Sequence, residues 1–134
     1  MNLLDVRAKL AAALVPVADE DPDVQVDYVD ALHPPCLLIT WADPWLESNT
    51  ACLYAARPQI IAVAGRLEPG PGVQRLEEMV TQVANRLGAD VDQWPITFVS
   101  APRVFEIGGI SYLGARIELS VNVTTTSVVP IQGA

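Results

Sequence analysis

Arg103-Val104-Phe105-Glu106-Ile107-Gly108-Gly109-Ile110-Ser111-Tyr112-Leu113-Gly114-Ala115-Arg116 carries the strongest topological signal in the chain. Paired glycines between two β-rich runs read as a tight hairpin turn, whose central residues need a backbone conformation that glycine adopts without penalty. Arg103–Ile107 reads as the incoming strand. The outgoing one runs from Ile110 to about Thr126, with Ile117, Leu119, Val121 and Val123 in alternation, the period of a strand with one buried face. A hairpin here makes this part of the sheet antiparallel.

Working upstream, Trp94-Pro95 precedes a short strand at Ile96–Ser100. Before it lies the clearest helix. Gly70-Pro71-Gly72 opens it, with proline at a first-turn position where its missing N–H costs nothing. Val73, Leu76, Met79, Val80, Val83 and Leu87 form its apolar face, Gln74, Arg75, Glu77, Glu78 and Gln82 its outer face, and Gly88 its expected C-terminal cap. Thr50–Ala56 and Gln59–Gly65 read as strands, with Arg57-Pro58 between them as a bulge, bend or edge. Ala42–Asn49, containing Asp43-Pro44-Trp45, reads as a loop. Cys36–Trp41 is a nearly continuous apolar run, expected to be a central strand with Trp41 buried at its end. His33-Pro34-Pro35 separates it from an alternating strand at Val24–Tyr28. Asp19-Glu20-Asp21-Pro22-Asp23 reads as a solvated turn. The first helix is expected over Leu3–Leu14, capped by Asn2 and stopped by Pro16, with Leu3, Val6, Leu10 and Leu14 on one stripe. The fold class that follows is α+β in the order α-β-β-β-α-β-β, with two helices on one face of a mostly antiparallel sheet. Residues 1–126 form one domain, followed by a C-terminal tail at 127–134 without periodicity.

Composition narrows the function. The 134 residues carry sixteen acids and eight bases, net −8, yet only 18% are charged. Seven of the bases are arginine and one is Lys9. The acid is concentrated: residues 1–50 hold nine acids and two bases, whereas residues 101–134 hold two of each. An acidic, charge-poor, apolar chain is a poor free-standing DNA-binding module, and it is too hydrophobic for disorder. The shortage of charge points to a surface partly covered by a partner. Met1–Val15 contains Asp5, Arg7 and Lys9 and lacks the basic-then-apolar pattern of a secretory leader. No apolar run reaches membrane-spanning length. Two cysteines, Cys36 and Cys52, do not make a disulfide scaffold, and a reducing cytoplasm is the expected compartment.

The chemical motifs are weak. His33, the sole histidine, stands in a proline-flanked turn, a poor place for a catalytic triad base. Gly109–Gly114 is one residue too long for a nucleophile elbow and precedes a strand rather than a helix. His33, Cys36 and Cys52 supply three zinc ligands of the four a structural site needs. Gly70-Pro71-Gly72 lacks the Lys-Ser/Thr of a phosphate-binding loop. Asp90 and Asp92 fit no EF-hand spacing. No catalytic residue, cofactor or metal is therefore expected. Trp45, in an acidic loop, reads either as an interface anchor or as simple loop packing. The arginines suit bidentate contacts across an interface as well as ordinary surface charge.

Four segments together resemble the tail terminator (tail-completion) proteins of long-tailed siphophages, particularly those of actinobacterial phages. They are Asp5–Leu14, Pro34-Pro35-Cys36-Leu37-Leu38-Ile39, Val63-Ala64-Gly65-Arg66 leading into Val73–Leu87, and Phe105–Arg116. The last is the most specific. The resemblance implies a non-enzymatic virion protein that caps the tail tube as a six-membered ring and joins the head connector, located in the tail neck and assembled in the host bacterial cytoplasm. Its partners would be copies of itself, the major tail tube protein and the head-tail connector or stopper, with DNA passing through the lumen unbound and no membrane involved.

A head-to-tail ring needs two different complementary patches per subunit. Trp45, Arg57, Arg66, Arg103, Arg116, Val128, Val129 and Ile131 are the expected subunit-contact residues. Asp19, Glu20, Asp21 and Asp23, or Asp90 and Asp92, are expected to face the lumen, where negative charge would keep phosphates from being held. Two other classes stand beside this one: a neighbouring stopper or head-completion protein, and a small-molecule-binding regulatory α+β module, which would need a pocket with convergent polar groups.

Overall fold

The computed structural model describes residues 1–27, 32–50, 53–66 and 71–124. Among them are two α-helices, α1 (Val6–Glu20) and α2 (Pro71–Gly88), preceded by a 3-10 turn at Leu3–Asp5. Seven strands follow the order β1 (Gln25–Asp27), β2 (Cys36–Thr50), β3 (Leu53–Arg66), β4 (Ile96–Val99), β5 (Arg103–Ile107), β6 (Ile110–Leu119) and β7 (Val121–Thr124). They form one sheet in the spatial order β1-β2-β3-β6-β4, with β5 beside β6 and β7 beside β3. Only the β1–β2 pair is parallel. The expected α+β class, with its mostly antiparallel sheet and helix-strand order, is the observed one.

The Gly108-Gly109 turn has both φ angles positive, +60° and +79°, as a two-residue hairpin with right-handed strand twist requires. It brings β5 and β6 into register from Ile107↔Ile110 to Arg103↔Gly114. The expected strand from Ile110 to about Thr126 is divided at Ser120, and residues beyond Thr124 lie outside the described set. β6 and β7 nonetheless share one register against β3, since Gln59 faces Glu118 and Ala56 faces Val121. Pro58 has no N–H to offer the ladder at the break, and the Ser120 N–H donates instead to the Pro95 carbonyl at 3.2 Å.

Both helices pack on one face. Alternate strand residues Leu37, Ile39, Ile60, Ala62, Leu113, Ala115, Ile117, Leu119, Val121 and Val123 meet Val6, Leu10, Leu14 and Val17 of α1 and Leu76, Met79, Val83 and Leu87 of α2. The opposite face carries a smaller apolar cluster, Cys36, Ile61, Val63 and Tyr112, flanked by Leu38, Phe105 and Ile107.

Several expected boundaries give way to tertiary packing. Pro16 does not stop α1; it lies inside the helix, which continues to Glu20. Asp19 and Glu20 are thus helical rather than part of a turn. Burial of Val17 continues the Leu10–Leu14 stripe and offsets the hydrogen bond that proline cannot make. Ala42–Asn49 is not a loop but the middle of β2. Thr50–Ala56 and Gln59–Gly65 are not separate strands on either side of a break: Arg57-Pro58 is inside β3, with Thr50 on β2. Gly88 is the last residue of α2 but lacks the left-handed conformation of a glycine cap. No helix among the described residues is long and apolar enough to cross a membrane.

Candidate interaction surfaces

The β2–β3 hairpin contains an irregularity that local pattern did not disclose. Trp41 faces Pro58, yet Leu46 faces Ala56, so Ala42, Asp43, Pro44 and Trp45 all stand opposite Arg57 alone. The half-buried Arg57 side chain ties this bulge to the sheet. It donates to the Pro44 carbonyl at 3.3 Å, pairs with Glu47 at 3.5 Å, and bonds Glu118 of β6 at 3.2 Å. The bulge turns Trp45 back onto Trp41, edge to face at 5.2 Å between ring centroids. Trp41 is half-buried rather than fully covered.

Trp41 and Trp45 form one wall of a cleft of about 210 Å³, whose other wall is Leu3, Leu4 and Arg7. Leu4 is 79% exposed and Trp45 50% exposed, so both walls of the cleft present apolar side chains to solvent. A second apolar concavity, about 270 Å³, lies between α2 and the β4–β5 flank and is lined by Leu76, Val80, Val99, Pro102 and Ala115 with Glu77, Thr81 and Ser100. Its two hydroxyls are already engaged. The Thr81 hydroxyl donates to the Glu77 carbonyl, and the Ser100 hydroxyl donates to the Ala101 carbonyl and accepts the Arg116 N–H. What remains toward the concavity is largely aliphatic, extended by exposed Val99 and by Val104, which faces Leu113 in the ladder. Trp45 on β2 and Val99 on β4 are three strand spacings apart, about 14 Å, so these are two patches and not one.

The other arginines are placed variously. Arg103 lies over the Phe105 ring at 5.5 Å and Arg116 over Phe98 at 5.4 Å, both on the sheet face without helices. The Arg116 Nε is buried with no hydrogen-bond partner. Arg66 is exposed at the end of β3. Val128, Val129 and Ile131 lie outside the described residues.

The acids divide into two groups. Arg75 near the start of α2 pairs with Asp21 just past the end of α1 at 2.7 Å, and Arg86 near the end of α2 donates to the Ala13 carbonyl of α1. The helices are therefore antiparallel. Asp21 thus sits near the start of α2, whereas Glu20 shares a concavity with Arg86 and Ala89 near its end, just ahead of Asp90 and Asp92.

Cys36 is buried in the second cluster, and loss of solvation pushes its thiol pKa up to about 11 despite a lowering hydrogen bond from the His33 backbone. Cys52 is outside the described residues, among which no group of three or more His, Cys, Asp or Glu side chains is placed to hold a metal. Ser111 stands on β6, facing Glu106 across the hairpin, and not on a strand-to-helix turn. The chain matches no family model and no curated protein.

Proposed function

We propose that this protein is a tail terminator subunit of a long-tailed phage, a structural component that closes into a ring on the tail tube and receives the head connector. The observation that supports it most is the presence of two unlike apolar patches on one small subunit, the cleft at Trp45 and the concavity at Val99. A head-to-tail ring consumes two such patches at every contact, whereas a monomer gains nothing by exposing them. Trp45 and the β4–β5 flank, with Arg103 beside it, supply subunit contacts in this reading. Arg57 acts one step back, holding the bulge that presents Trp45. The four acids around the end of α1 are the denser cluster and line the lumen.

The test is removal of the protein from the phage that encodes it, followed by imaging of the particles. Overlong tubes without heads are the expected result. Tails of normal length that fail to join heads would favour the stopper reading, and unaltered particles would overturn both. A major tail protein gene immediately downstream is the expected genomic neighbour.

A further inference from the structure

The cleft walled by Leu3, Leu4, Trp41 and Trp45 has an occupant within reach. Thr124, the last residue of β7, bridges to Asn2 in parallel, and its N–H donates to the Met1 carbonyl at 3.0 Å. At Thr124, therefore, β7 runs alongside Asn2 and in the same direction, that of Leu3 and Leu4. Residues 125–134 carry no charged side chain and include Val128, Val129, Pro130 and Ile131. At roughly 3.3 Å per extended residue, Val129 is about 16 Å of chain beyond Thr124 and Ile131 about 23 Å, ample for a cleft that begins at Leu3, the residue after Asn2. The concavity at Val99 is farther off: Val99 faces Ile117, about 23 Å along the register from Thr124, the whole extended reach of Ile131. Its far end, beside Ala115, is about 30 Å from Thr124, nine extended residues away.

We propose that the segment 125–134 docks along the Trp45 cleft of its own chain, with Val129 and Ile131 against the tryptophans. Pro130 holds Val129 extended, and in an extended run Val129 and Ile131 share one side while Val128 faces away. Tethering beside the cleft raises the segment's effective concentration above that of any neighbour's copy. The docked segment completes the patch around Trp45, and Val128 remains outward for a neighbour. The docking itself does not depend on ring assembly.

Trp45 fluorescence reads the cleft directly. In the full-length chain, the emission lost on Trp45→Phe substitution is expected to be blue-shifted and resistant to acrylamide. A V129D/I131D chain should shift that component to the red and expose it to quencher, V128D should not, and in the W45F background only the change at Trp41 should remain. Readily quenched Trp45 in the unmodified chain would overturn the proposal without recourse to any tail variant. So would an unchanged signal in V129D/I131D. Protection that disappears on dilution would show the segment of a second copy in the cleft and would equally overturn docking within one chain.

Discussion

Gly114 is the residue at which the two strands of the sheet centre have least room. A Cβ there would stand 2.7 Å from the Ala62 carbonyl oxygen and 3.1 Å from the Phe105 ring, so Phe105 leans over a position with no side chain. Gly114→Ala must displace backbone as well as a ring, and is expected to cost about 1–3 kcal/mol in urea denaturation. Cys36 gives a pH signature. Its thiol is held neutral in the fold, with a pKa raised from 9.0 to about 11. The unfolded chain releases this proton first, so the stabilisation is complete below pH 9 and is lost as pH rises toward 11. A Cys36→Ala chain should lack that part of the alkaline decline in a pH series of melting temperatures. The contrast between these residues and Gly108-Gly109 is instructive. The glycine pair was legible because its φ requirement is local. Gly114 was not singled out because its reason for being glycine lies on β3 and β5, and strand-to-strand neighbours are invisible until register is known.

At the scale of elements, periodic segments were readable and exceptions were not. The α2 stripe and the strand alternations follow from burial on one face, which any local window detects. Pro16 misled because its rule concerns the backbone of one helix, while packing of Val17 against the core overrides it. The Ala12 carbonyl still lacks its helical donor, since proline has none to give. Pro16→Ala should therefore raise stability, by about 1–3 kcal/mol, and a lower melting temperature would mean that the proline fits a backbone alanine does not. The bulge at residues 42–45 misled for the opposite reason. Asp43-Pro44 does interrupt the ladder, but the strand resumes because Arg57 fastens the interruption from across the hairpin. Arg57→Ala removes contacts to Pro44, Glu47 and Glu118 together. Discounted for partial exposure, the expected loss is about 1–2 kcal/mol, with Trp45 emission shifting as the bulge loosens.

The whole molecule segregates its chemistry. Charge gathers at the ends of the helix pair, while apolar surface gathers at the bulge cleft and along the β4–β5 flank. Composition made a covered surface legible, and the acid bias of residues 1–50 was plain, but neither located the patches. The concavity at Val99 exists only because β4 and β5 extend the sheet past the edge of α2, and that overhang depends on the β6 pairings. Its role in the proposed ring can be separated from folding. Val99 and Val104 are 42% and 51% exposed, so replacing both with aspartate removes little of the subunit's own core. Exposed substitutions typically alter stability by no more than about 0.5 kcal/mol each. In a ring, the same carboxylates would be desolvated without partners, at several kcal/mol per contact repeated at every interface. V99D/V104D subunits should therefore melt near the parent temperature yet fail to form the ring, as read by sedimentation in the presence of tail tubes. Rings at parental yield would remove this flank from the interface and leave the contacts to the Trp45 patch and the helix-free face of the sheet.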